Sequence, residues 1–128
     1  MNIAFPDWLQ AWAQSHGVSL ESARRSGRLT IPVDGVRILL SQHNAQRWLL
    51  QARVVDLPDD GPLRESLIDK AAATATARMS ASASALAIDP DRSALWLQMS
   101  LNQDAGSAEL EACLERMAND IEFWRAML

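Results

Sequence analysis

Leu29, Ile31 and Val33 alternate with Thr30 and Pro32; after Asp34-Gly35, Val36, Ile38 and Leu40 alternate with Arg37, Leu39 and Ser41. A period of two on both sides of a two-residue Asp-Gly turn specifies a β-hairpin, because each pleated strand then presents one apolar face. A hairpin with one apolar face is not stable alone and must bury that face under more strands or helices. Pro32 lacks the N–H that a central strand donates, which places the first strand at a sheet edge. After a polar turn over Gln42 to Gln46, a third strand runs from about Arg47 to Leu57, with Trp48, Leu50, Ala52 and Val54 on one face. Short connections between three successive strands imply an antiparallel meander.

Helical periods flank this cluster. Phe5, Trp8, Leu9 and Trp12 recur at spacings of three and four, predicting a helix over about Pro6–His16 that stops at Gly17. Pro6 suits its first position and Asp7 the positive end of its dipole. The pattern from Val18 to Gly27 is mixed and reads as a turn or a short helical extension. Asp59-Asp60-Gly61-Pro62 breaks the chain, and the Ala-rich stretch from Leu63 to about Leu86 has no Gly or Pro. Helix is favoured there on propensity, with Leu63, Leu67, Ala71, Ala75 and Met79 on one stripe and Ser80, Ser82 and Ser84 weakening its end. A short strand over Ala85–Ile88 leads to the turn Asp89-Pro90-Asp91, and a further strand over Ser93–Leu101 follows. Ser107 to Leu128 is the strongest helix, with Ser107 as candidate N-cap and Leu110, Leu114, Met117, Ile121, Trp124 and Leu128 on one stripe. The order α-β-β-β-α-β-β-α defines an α+β class, with helices packed on an antiparallel sheet, and residues 1–128 read as a single domain.

Composition narrows function. A net charge of −4 and pI near 5.0 disfavour nucleic acid as a partner, since phosphate contacts need clustered Lys and Arg, and Arg24, Arg25 and Arg28 form only a short basic run. No apolar run approaches the roughly 20 residues of a membrane span, and the N-terminus lacks a signal-peptide pattern. Cys113 is the only cysteine, which excludes an intrachain disulfide, and it sits in an apolar helical pattern as a small packed hydrophobe.

No catalytic constellation appears, so no enzyme, cofactor or metal site is expected. His16 and His43 have no Cys or carboxylate at ligand spacing, and the glycines are scattered. Paired carboxylates such as Asp59-Asp60 and Asp89/Asp91 fall in turns, where Asp is favoured for conformational reasons. The informative oddity is apolar residues on strand faces that ought to be wet: Leu39, Leu49 and Trp96. Cover by a helix or a second subunit explains them, and so does a docking surface for an extended partner chain. Five tryptophans without a tyrosine fit either explanation, because Trp serves both cores and interface anchors.

The segments Leu29–Leu40 and Ala87–Gln98, with the closing helix ending Phe123-Trp124-Arg125-Ala126-Met127-Leu128, make the chain resemble the class I type III secretion chaperones, the Tir-chaperone-like (CesT) family. The likeness spans nearly the whole chain in length and order. It implies a non-enzymatic homodimer in the bacterial cytoplasm, without ATP or metal. Such a protein binds an N-terminal segment of a secreted effector in extended form and keeps it soluble and export-competent. Trp12, Leu39, Leu49 and Trp96 are the effector-binding candidates, and Leu67, Ala71, Ala75 and Met79 the dimer candidates. The rival readings are an α+β small-molecule-binding domain or enzyme, and a non-secretory dimeric adaptor.

Overall fold

A computed structural model of the chain describes residues 5–79, 84–91 and 93–128. The elements are α1 (Asp7–Ser15), α2 (Glu21–Ser26), β1 (Arg28–Val33), β2 (Val36–Asn44), β3 (Arg47–Asp56), α3 (Pro62–Arg78), β4 (Ala85–Ile88), β5 (Ala94–Asn102) and α4 (Ser107–Met127). The five strands form one antiparallel sheet in the order β1-β2-β3-β5-β4. This is the α+β architecture that the alternation of periods predicts.

The first hairpin closes as its turn chemistry requires. Val33 faces Val36, and Asp34 and Gly35 both adopt positive φ, 50° and 80°. Such a pair matches the right-handed twist of the flanking strands, and Gly35 takes it without a Cβ penalty. β1 is an edge strand, as Pro32 demands. Its outward backbone groups are blunted: the Ser26 hydroxyl accepts from the Arg28 N–H at 3.3 Å and donates to the Arg28 carbonyl at 3.2 Å. Between Arg53 and Val55 the β3–β5 register shifts by one residue. That bulge re-phases the strand, so Val54 and Leu57 are both buried although three residues apart.

One face of the sheet carries the core. Ile38, Leu40, Leu50 and Ala52 are fully enclosed there, and Trp48 is stacked against Phe5 at 5.6 Å between ring centres. Each such Leu or Ile contributes about 1.5–3 kcal/mol of burial. α4 covers this face with Leu110, Leu114, Met117, Ile121 and Trp124, the stripe its spacing predicts; Leu128 is only half-buried. α1 lies beside α4. The Trp8 indole N–H donates to the Gln103 carbonyl at 2.7 Å, and Nε2 of His16 lies 3.1 Å from Glu111.

Several boundaries differ from the sequence-based expectation. Residues 21–26, of mixed pattern, form the short helix α2, which ends on Gly27 in the left-handed region. β2 runs on to Asn44, and the Asn44 side chain accepts from the N–H groups of Gln46 and Arg47, which tightens the turn. α3 ends at Arg78, short of the expected limit near Leu86, while the short strand expected over Ala85–Ile88 is β4, where pairing with β5 outweighs helix propensity. The expected helical stretch over 80–83 lies outside the described residues. Pro6 is the cap of α1, not its first residue, its carbonyl accepting from Leu9 and Gln10. Ser107 is the first residue of α4 and not its N-cap; its hydroxyl donates to the Trp8 carbonyl at 3.4 Å.

Candidate functional site

The alternation that buries one face of the sheet leaves the other face open. Its residues read Arg28, Thr30 and Pro32 on β1, Arg37, Leu39 and Ser41 on β2, then Arg47, Leu49, Gln51 and Arg53 on β3. Trp96, Gln98 and Ser100 follow on β5, with Ala85 and Ala87 on β4. All of these side chains are exposed or half-buried. Three of the four effector-binding candidates, Leu39, Leu49 and Trp96, are brought together here.

The register makes the placement definite. Thr30, Leu39, Gln51, Gln98 and Ala85 form one row across all five strands. Leu49 lies between Ser41 and Ser100 in the next row, and Trp96 between Arg53 and Ala87 on the opposite side of it. Since neighbouring strands stand about 4.8 Å apart, Leu39 and Leu49 are diagonal neighbours and Trp96 lies two strands beyond Leu39. A shallow depression of about 360 Å³ joins Leu39 to Trp96, lined also by Arg28, Gln51, Gln98 and the turn after β4. Neither glutamine is legible as a site residue from the sequence, because Gln on a strand face carries no signal until the row it belongs to is known.

The turn after β4 is rigidly built. Asp89 accepts from the Ser93 N–H at 2.7 Å, the Ser93 hydroxyl at 2.7 Å and the Ala94 N–H at 3.2 Å. The Ser93 hydroxyl bond is the main cause holding its carboxyl below the ordinary value of 3.8. The buried Trp96 indole N–H lies near enough to assist, although its geometry falls short of a hydrogen bond.

The two edges of the sheet differ. On β1, Ser26 caps Arg28 and Pro32 has no donor. On β4, the Asp89 N–H bonds the Ala94 carbonyl at 3.3 Å. By antiparallel alternation, Ala87 and Ala85 then face β5, and the N–H and C=O groups of Leu86 and Ile88 face outward. Among the described residues no hydrogen bond caps them, so β4 presents an edge open to pairing.

Trp12 is placed elsewhere. It is 5% exposed, lies in the core with Leu9 and Ala13, and stacks on His16 at 4.6 Å. The amphipathic spacing of α1 turns it toward the helix-covered face, so it shares no surface with Leu39, Leu49 and Trp96. The dimer candidates are also divided. Ala71 is buried at 2% within its own chain, which corrects its reading as a surface for a second copy. Ala71 belongs to the core cluster, and Leu67 and Ala75 are half-buried against it. Met79, just past the helix, is 78% exposed, and Leu63 at the other end is 76% exposed.

The remaining chemistry-bearing residues have structural partners. His16 Nδ1 contacts the Trp12 carbonyl at 2.9 Å and its Nε2 contacts Glu111, which ties α1 to α4. Cys113 is buried, and loss of solvent raises its thiol pKa. No group of three or more His, Cys, Asp or Glu among the described residues is placed to hold a metal ion, and no described helix is long and apolar enough to cross a membrane.

The α+β fold, a five-stranded antiparallel sheet with packed helices, matches that of solved type III secretion chaperone structures. The family model of the Tir chaperone protein (CesT) family matches residues 8–125, and the chain belongs to that family. Among similar solved structures, the HopA1–SchA chaperone–effector complex matches with a TM-score of 0.65 at 17% identity, over 93% of this chain and 91% of that one. The ExsC–ExsE complex matches with a TM-score of 0.66 at 21% identity, over 94% and 90%. The heterodimeric ExoU–SpcU complex from the type III secretion system of Pseudomonas aeruginosa matches with a TM-score of 0.67 at 18% identity, over 92% and 95%. At these identities the likeness is one of fold. No curated protein matches the chain.

Proposed function

We propose that this chain is a non-enzymatic secretion chaperone of the bacterial cytoplasm that binds an N-terminal effector segment in extended form and holds it ready for type III export. The observation that carries the reading is the open sheet face, where Leu39, Leu49 and Trp96 stand half-exposed in a member of a chaperone family. An extended client satisfies its backbone by pairing with the open β4 edge, while its apolar side chains cover those three residues. Ala87 and Trp96 lie in one row, so edge and face are continuous. The protein works as a homodimer joined through α3, whose exposed ends carry Leu63 and Met79. It needs neither metal nor nucleotide, because capture uses only burial and strand pairing.

The test is co-expression of the tagged chain with effectors encoded beside it, followed by affinity purification. One effector is expected to co-purify, and deletion of its N-terminal segment is expected to abolish the complex. A partner that still binds without that segment, or a chain that captures no effector, overturns the reading.

A further inference from the structure

The chain is acidic, yet its open sheet face is basic. Of the sixteen Asp and Glu residues, Asp56 is the one that lies within a strand, at the last position of β3. Of the twelve Lys and Arg residues, Arg28, Arg37, Arg47 and Arg53 project from the open face. Each position is fixed by an independent observation. Arg28 lines the depression with Leu39 and Trp96, and Arg37 stands between the buried Val36 and Ile38. Nη1 of Arg47 donates to the Ser100 hydroxyl at 3.1 Å, and Arg53 lies over the Trp96 ring. Arg53 is paired with Asp56 at 2.9 Å. Arg28, Arg37 and Arg47 form no ion pair with any carboxylate among the described residues.

The layout is ordered. Arg28 and Arg47 stand toward one end of the strands and Arg37 and Arg53 toward the other; Leu49 shares the row of Arg28, Trp96 the row of Arg53, and Leu39 lies in the row between. From these positions we infer that the client segment seated on this face is an acidic one, an extended chain whose carboxylates meet the arginines while its apolar side chains cover the leucines and the tryptophan. This rests on the chaperone reading and adds the chemistry of the client. Arginine suits the role, since its planar fork pairs a carboxylate through two parallel hydrogen bonds. Local charge governs the contact, because at physiological salt an exposed charge is screened beyond about 8 Å and the acidic helix α4 lies on the other side of the sheet. A phosphate backbone is the poorer fit. The face offers a single aromatic for base stacking, and Asp89 and Asp91 border the depression.

The experiment uses the full chain and four labelled probes in fluorescence anisotropy at low salt. Three are sixteen-residue peptides in which Leu alternates with Glu, Gln or Lys, and the fourth is a sixteen-nucleotide oligothymidylate. The Leu-Glu peptide is expected to bind at least tenfold more tightly than the Leu-Gln peptide, although the protein carries net negative charge. The preference is expected to vanish in high salt and in the triple variant Arg28→Gln/Arg37→Gln/Arg47→Gln. Comparing Glu, Gln and Lys peptides on the unaltered protein tests the charge preference without relying on that variant to fold. Equal affinity for all three peptides overturns the acidic-client inference and leaves the chaperone function standing. Tighter binding of the oligonucleotide than of any peptide overturns it in favour of nucleic acid. If no probe binds to a chain that still captures its effector, the inference fails alone; if effector capture fails too, both readings fall.

Discussion

The guanidinium carbon of Arg53 lies 5.7 Å from the centre of the Trp96 ring, so the largest apolar side chain on the open face is flanked by a cation and not by core. Trp96 is half-buried, and its row holds Arg53 and Ala87. A Trp→Ala change at such an anchor removes contact area from a partner more than from the fold. Trp96→Ala is therefore expected to weaken effector capture by tenfold or more and to leave the melting temperature nearly unchanged. Calorimetric titration and thermal melts of the same sample check both halves. A large drop in melting temperature would mark Trp96 as a fold-supporting residue.

The opposite behaviour is expected of Trp48, which is 1% exposed and stacked on Phe5. Removing it leaves a cavity beneath Phe5 in the core, at a cost of about 3–5 kcal/mol. Against a total stability of about 5–15 kcal/mol for a domain of this kind, that is a large share. Urea unfolding of Trp48→Ala should show a strongly lowered midpoint, with any loss of capture following loss of folded protein.

The dimer proposal places the contact at the exposed ends of α3. Leu63→Arg with Met79→Arg introduces two cations on surfaces that are 76% and 78% exposed in the single chain, so folding should be unaffected. Light scattering is expected to report a dimer for the unaltered chain and a monomer for the double variant. A double variant that stays dimeric would remove α3 from the interface.

The turn after β4 supplies a pH dependence. The Ser93 hydroxyl holds the Asp89 pKa below 3.8 in the folded chain, so the ionised carboxylate stabilises the fold. That contribution is fully present above the unfolded value and is lost as pH falls through the lowered folded value. Ser93→Ala should melt below the unaltered protein at neutral pH, and the gap should close well under pH 3.8. A gap that persists in acid would assign the effect to something other than the carboxylate.

Cys113 is buried in α4 against the sheet, and desolvation raises its thiol pKa. The reactive species is the thiolate, so both access and ionisation are suppressed in the folded state. Alkylation by iodoacetamide at neutral pH should be slow in native buffer and fast in denaturant. Comparable rates in both would show that this part of α4 opens readily.

Much of the fold was legible because its signals are local. The alternation through Leu29 to Leu40, the Asp34-Gly35 turn and the stripe on α4 each act within a few residues, and each appears where its spacing places it. Ala85 and Leu86 were ambiguous because a short Ala- and Leu-rich run is compatible with helix; pairing to Gln98 and Leu97 settled it. Trp12 misled because periodicity identifies an apolar face without saying what it touches. Ala71 misled for a related reason, since a small residue permits close approach to any surface, its own core included.

Apart from α2, the order of elements, the hairpin and the acidic balance were determined by the sequence alone, since backbone preference and side-chain period act on neighbouring residues. Which face of each strand is covered was decided by tertiary structure. Leu39, Leu49 and Trp96 became a single open surface only when β2, β3 and β5 aligned in register and α1 and α4 occupied the other side. A sheet has two faces and its helices have apolar area for one, so the uncovered face exists only once the chain has chosen where to bury the rest.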